Sequence, residues 1–121
     1  MNFTDISDCE LLVMRCLWEA GEPIPVHALI EELDKRFGKK YKETTVYTFL
    51  ANLRKKGYVT SYKKGASYFS PIVRRDDFIK NYARIQREFW QGETLEDLIT
   101  AIIFPDGADQ EQRSQISELL K

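Results

Sequence analysis

One segment of the sequence carries side chains suited to contacting a polyanion. Residues 35–75 contain twelve Lys or Arg residues and one acid, Glu43, a local charge of +11, whereas the whole chain has a formal charge of −1. Neutralising phosphate groups is a common reason for a protein to tolerate such self-repulsion. Residues 76–121 hold five basic and ten acidic side chains, a local charge of −5. This asymmetry predicts that the middle of the chain meets phosphate and that the C-terminal part has another role.

Short polar side chains recur inside this basic segment at helical spacing. Thr45, Thr48 and Asn52 fall on one face of a predicted helix. Side chains of this kind can bond base edges in the major groove, and threonine methyls can touch thymine methyls. An ordinary solvated helix face with solubilising lysines is the alternative interpretation. The residues predicted to contact DNA are Lys42, Thr44, Thr45, Thr48, Asn52, Lys55, Lys56, Lys63 and Lys64.

Three amphipathic helices and a hairpin must position these side chains. Ser7 and Glu10 have the spacing of a capping box, and Gly21 can end the first helix. A rigid connector, residues 22–25, leads to a second helix that ends at Gly38. Thr44 or Thr45 is expected to cap the third helix, which runs to about residue 56. Its predicted apolar face consists of Val46, Phe49, Leu50 and Leu53.

After the third helix, the pattern changes to the alternation of strands. Residues 58–62 and 67–70 flank a turn containing Gly65, where a positive φ is expected. Three helices followed by a hairpin is the order of a winged helix-turn-helix. The predicted fold is therefore mostly α with a small β-hairpin wing, followed by a helical arm.

Pro71 marks a boundary, and we assign residues 1–73 to a DNA-binding domain and residues 74–121 to a helical dimerisation domain. Thr94 is expected to cap the second arm helix, and the third is expected to begin at Asp109. A unit this short rarely buries its apolar surface alone, and a two-fold dimer is the commonest solution. The predicted dimerisation residues are Phe78, Tyr82, Ile85, Phe89, Leu98, Ile99 and Ile102.

Other classes of function find little support in the sequence. Cys9 and Cys16 lie two helical turns apart, roughly 10 Å, which is too far for a disulfide. His27 is the only histidine, and no motif for a nucleophile, metal or phosphate loop accompanies it. We therefore expect no catalysis, cofactor or metal. The apolar runs are too short for a membrane span and residues 1–5 do not resemble a secretory signal, so the expected location is the cytoplasm.

Five segments together resemble the penicillinase repressors, the BlaI/MecI/CopY group of bacterial regulators. They are ISDCELLVM at residues 6–14, LW at 17–18, TVYT at 45–48, LRKKGYV at 53–59 and YFSPIV at 68–73. The resemblance implies a winged helix joined to a dimerisation arm, and repression by a homodimer that occupies a palindromic operator in double-stranded DNA. Some members are inactivated by proteolysis that a membrane sensor triggers, and others are inactivated by copper.

The sequence also departs from that family. Ala66 follows the wing Gly65 where an Arg is usual, and Tyr41 stands where a Trp commonly precedes the recognition helix. The clustered terminal cysteines of the copper-responsive members and the Asn-Phe cleavage pair near Ala101 are missing. The sequence therefore identifies no sensor or protease partner. A winged helix that binds protein instead of DNA is the alternative function.

Overall fold

The computed structural model describes residues 5–121, in which six helices and one three-stranded sheet are present. Residues 1–4, part of the stretch compared with a secretory signal, lie outside the described residues. The prediction of a mostly helical fold with a small β wing is confirmed. The elements are α1 (Asp8–Ala20), β1 (Ile24–Pro25), α2 (Val26–Phe37), α3 (Glu43–Lys55), β2 (Val59–Lys64), β3 (Ala66–Pro71), α4 (Arg75–Trp90), α5 (Gly92–Ile103) and α6 (Gln110–Leu119).

The described residues form two compact units, one ending at Ile79 and the other running from Lys80 to Lys121. The core of the first unit comes from the inner faces of α1, α2 and α3 and from one residue of each long strand. Its fully buried side chains include Met14, Leu17, Leu29, Leu33, Val46, Leu50, Leu53 and Val59. Packing of three helices on a small sheet is what holds α3 and the hairpin in place.

The predicted capping box of α1 is confirmed. Ser7 Oγ accepts a hydrogen bond from the Glu10 amide at 3.1 Å, and Glu10 Oε1 accepts one from the Ser7 amide at 2.8 Å. The expected cap of α3 was wrong, because that helix begins at Glu43 with Lys42 at the N-cap position. An acidic residue is favourable in the first turn of a helix, and with Glu43 there α3 begins two or three residues earlier than expected. Thr44 and Thr45 consequently lie inside the helix.

The segment predicted as a rigid connector contains a short strand. Ile24 and Pro25 of β1 pair antiparallel with Phe69 and Tyr68 of β3, giving the strand order β1-β3-β2. Pro25 occupies an edge strand, where a missing amide is tolerated, and a two-residue strand leaves no alternation to detect in a sequence. The hairpin turn is as predicted, with Gly65 at a φ of 75°.

Phe78 lies in the first unit, although the sequence assigned it to the dimerisation domain. Its ring centroid is 5.4 Å from that of Trp18 and 6.5 Å from that of Tyr58. Trp18 also donates a hydrogen bond from Nε1 to the carbonyl oxygen of Val73 at 2.9 Å. These contacts anchor the first turn of α4 on the winged-helix core.

The second unit consists of the rest of α4 with α5 and α6. The expected cap at Thr94 was wrong: α5 begins at Gly92, and Gln91 takes the N-cap position with a φ of 46°. A single residue therefore separates α4 from α5. Asp109 does cap α6, in a capping box with Gln112. Thr100 and Ile116 are the only buried residues of this unit, all of which the structure describes.

Candidate nucleic-acid interface

The candidate interface begins with α3, whose inner face is fixed in the core. Val46, Leu50 and Leu53 are buried, so the opposite face of the helix is left outside. Most of the polar residues that the sequence singled out lie on that outer side. Thr44, Thr48, Asn52 and Lys55 are exposed, and Thr45 is half-buried.

One hydroxyl on this face is already engaged. Thr48 Oγ1 donates a hydrogen bond to the backbone carbonyl of Thr44 at 3.0 Å, one helical turn earlier. Within the described chain, the hydroxyls of Thr44 and Thr45 make no hydrogen bond. The three threonines therefore offer different chemistry: two have a hydrogen to donate, whereas Thr48 presents acceptor lone pairs and a methyl group.

Lysines at the ends of α3 and at the wing tip supply positive charge. Lys42 stands at the N-cap of α3, Lys55 is its last residue, and Lys63 and Lys64 are exposed on the hairpin. None of these four forms an ion pair with any residue from 5 to 121. Ammonium groups without a protein counter-ion are available to phosphate oxygens.

Lys56 differs from the other lysines predicted to contact DNA. Its Nζ lies 3.0 Å from Oε1 of Glu10, and only 3% of Glu10 is exposed. Burial raises the pKa of Glu10, but hydrogen bonds from the Ser7 amide and from Lys56 lower it by more in total, so the pKa lies below its ordinary value. Lys56 thus joins the end of α3 to the start of α1 within the protein itself.

Two contacts tie α3 to the wing. Arg54 donates a hydrogen bond from its guanidinium to Ser61 Oγ of β2 at 2.7 Å. The ring of Tyr47 lies edge-on to that of Phe69 in β3, with centroids 6.3 Å apart. These links join α3 to both long strands of the hairpin that carries the lysines.

Tyr47 is a candidate contact residue that reasoning from the sequence missed. It is 40% exposed on α3, next to Thr48. An aromatic side chain that falls outside the apolar repeat of a helix was the signal that could have found it. Large exposed aromatics on a recognition surface commonly contact a partner.

Tyr41, in the basic loop before α3, is turned toward the protein. Its ring packs edge-on against Phe49 at 5.2 Å, and its hydroxyl donates a hydrogen bond to Cys9 Sγ at 3.3 Å. The hydrogen bond to Cys9 raises the pKa of Tyr41 above its ordinary value, and burial raises it further. Tyr41 thereby fastens the basic loop before α3 to α1.

Features of metal sites and membrane spans are not found in the described part of the chain. Over residues 5–121 there is no cluster of three or more side chains able to hold a metal ion. No helix in that range combines the length and apolar character that a membrane crossing requires.

Comparison with known proteins gives a family match over almost the whole chain. The model of the penicillinase repressor family matches residues 6–121. No curated protein sequence matches the chain significantly.

Solved structures also resemble this chain. The solution structure of the DNA-binding domain of the repressor BlaI is 31% identical, covering 63% of this chain and 90% of that one, with a TM-score of 0.52. The monomeric form of Bacillus licheniformis BlaI in complex with the blaP half-operator has the same identity and coverage, with a TM-score of 0.50. A complex structure of hsRosR-SG is similar in fold alone, at 16% identity over 88% of this chain and 96% of that one, with a TM-score of 0.54.

Proposed function

The chain belongs to the penicillinase repressor family, as its sequence motifs predicted, and we propose that it is a DNA-binding transcriptional repressor that acts as a homodimer on a palindromic operator. In this role it would work in the cytoplasm and perform no catalysis. The observation that carries the proposal is the outer face of α3, where Thr48, Asn52 and Lys55 are exposed, on a helix that Arg54 and Tyr47 connect to the hairpin bearing exposed Lys63 and Lys64.

The contacts of this surface divide by chemistry. Thr44, Thr45, Thr48 and Asn52 are short enough to reach base edges when α3 lies in the major groove. Lysines at the ends of α3 and in the wing would bind the phosphates on either side and set the register of the protein on the duplex. BlaI in complex with the blaP half-operator supports the same use of this fold here.

The homodimer is proposed from the apolar surface of the second unit. Ile102 is 70% exposed, and Leu119 and Leu120 are also exposed. With Leu98 and Ile99 they line a groove of about 600 Å³. So small a unit gains stability by covering such a face, and a second copy of the chain brings the same face to the contact.

Of the residues predicted to form the dimer, six lie in the second unit and support this interface. Tyr82, Leu98, Ile99 and Ile102 line the groove, whereas Ile85 and Phe89 lie on α4. Phe78 is left out of the proposal because it packs on the winged-helix core. Two copies related by a two-fold axis would present two α3 helices, which is why the expected operator is palindromic.

A titration of the full chain against duplex DNA tests the function. The probes are the intergenic duplex upstream of its own gene and a scrambled duplex of equal length, each at several salt concentrations. The proposal expects tighter binding to the upstream duplex and an affinity that falls steeply with salt for both. A winged helix that binds protein instead would show little affinity for either duplex.

A further inference from the structure

We infer that Thr48 reads its base as a hydrogen-bond acceptor, and therefore selects an adenine that presents its amino group in the major groove. This inference rests on the proposed DNA-binding function and names the chemistry of one contact within it. The observation behind it is the hydrogen bond from Thr48 Oγ1 to the Thr44 carbonyl at 3.0 Å.

The helix itself fixes the polarity of this side chain. A threonine hydroxyl has one hydrogen and two lone pairs, and the hydrogen of Thr48 is directed along the helix to the preceding turn. Turning it toward a ligand would break that bond. A hydroxyl that already donates is also a better acceptor, since chains of hydrogen bonds polarise one another.

The four bases differ in the hydrogen-bond donors and acceptors that they present to such a side chain. In the major groove, adenine N6 and cytosine N4 are donors, whereas guanine offers N7 and O6 and thymine offers O4, all of them acceptors. Thr48 therefore accepts a hydrogen bond from an amino group and disfavours guanine and thymine at the contacted base, because two acceptors would face each other there. An A·T pair also presents the thymine methyl to the threonine methyl, so adenine is favoured over cytosine.

Thr44 and Thr45 provide the internal contrast. Their hydroxyls make no hydrogen bond in the described chain, so each keeps a hydrogen to give to guanine, thymine or phosphate. The acceptor character is thus specific to Thr48 among the threonines of α3 and does not follow from residue type.

Selection from a randomised duplex pool tests the inference in the full-length protein. The wild type, Thr48→Val and Thr48→Ser are each used at one fixed salt concentration, with Thr94→Val in α5 as a matched control. Valine keeps the methyl group and replaces the hydroxyl acceptor by a second methyl, whereas serine keeps the hydroxyl and removes the methyl. The valine variant should no longer exclude guanine and thymine at one position of each half-site, whereas the serine variant should still exclude them there and accept adenine and cytosine alike.

The wild-type protein supplies a second measurement that no folding defect can affect. Replacing the selected adenine by 2-aminopurine removes the major-groove amino group and keeps pairing with thymine. Affinity for that duplex should fall by about threefold to tenfold, the range of one hydrogen bond. The valine variant should bind both duplexes equally.

The outcomes separate the two proposals. If the wild type enriches no sequence, sequence-specific binding itself is wrong, and the inference with it. If the wild type enriches a sequence but Thr48→Val keeps every preference, or loses one for guanine or thymine, only the role given to Thr48 is overturned.

Discussion

Lys56 Nζ and Glu10 Oε1 lie 3.0 Å apart and connect the end of α3 to the start of α1. Glu10 is also the second half of the α1 capping box. One carboxylate therefore caps α1 and forms an ion pair with a lysine that follows α3. Its other oxygen, Oε2, is buried and has no protein hydrogen-bond partner in the described chain. A charge held in this way depends strongly on its single cation.

The first prediction separates two adjacent lysines. Lys56→Ala should lower the free energy of unfolding by about 1–3 kcal/mol, because it leaves the Glu10 carboxylate buried without its cation. The figure is lower than for a fully buried ion pair because the Lys56 side chain is 33% exposed to water. Urea denaturation followed by circular dichroism measures the change.

Lys55→Ala is the matched control, since Lys55 is exposed and forms no ion pair in the described chain. Its unfolding free energy should stay within about 0.5 kcal/mol of wild type, while its DNA affinity falls. Equal stabilities for the two variants would contradict the structural role assigned to Lys56.

The second prediction concerns pH. Because the pKa of Glu10 is lower in the folded chain than its usual value near 4.5, the ionised carboxylate stabilises the fold above that pH. This stabilisation is lost as the pH falls through the lowered pKa. The urea midpoint of the wild type should therefore drop more between pH 6 and pH 3.5 than that of Glu10→Gln. Parallel midpoints in the two proteins would show that Glu10 does not contribute.

The sequence could predict those parts of the fold that depend on local chemistry. The Ser7–Glu10 capping box, the glycine at position 65 and the apolar stripe of α3 each follow from neighbouring residues, and all three are present. Two-residue β1 exists only through pairing with β3, a long-range contact that no local pattern records.

Local patterns in the sequence predicted the candidate site to a similar extent. Helical spacing placed Thr48 and Asn52 on the outer face of α3, where the structure has them. It could not distinguish Lys56 from Lys55, because the difference lies in Glu10, which is 46 positions away along the chain. Nor could it find that Phe78 packs against Trp18, since the periodicity of α4 is the same on both sides of the boundary between the units.

A third prediction addresses the wing. Replacing Lys63 and Lys64 together by Ala should weaken binding to operator and scrambled duplex alike, because these side chains would meet phosphate and not bases. The slope of log affinity against log salt should flatten by about 0.9 for each phosphate that the variant no longer neutralises. Fluorescence anisotropy at four salt concentrations gives that slope. An unchanged slope would mean that the wing tip stays clear of the duplex.

The last prediction tests the dimer through Ile102, which is 70% exposed on α5. Ile102→Glu would place a carboxylate where the proposal buries an apolar side chain, and burying an isoleucine contributes about 1.5–3 kcal/mol. The dimer dissociation constant should rise by at least about tenfold, measured by sedimentation, and operator affinity should fall because half-sites are bound singly. Glu93→Lys is the control and should leave the dimer intact, because Glu93 lies on the face of α5 opposite to Ile102. A dimer equally tight in both variants would place the interface elsewhere.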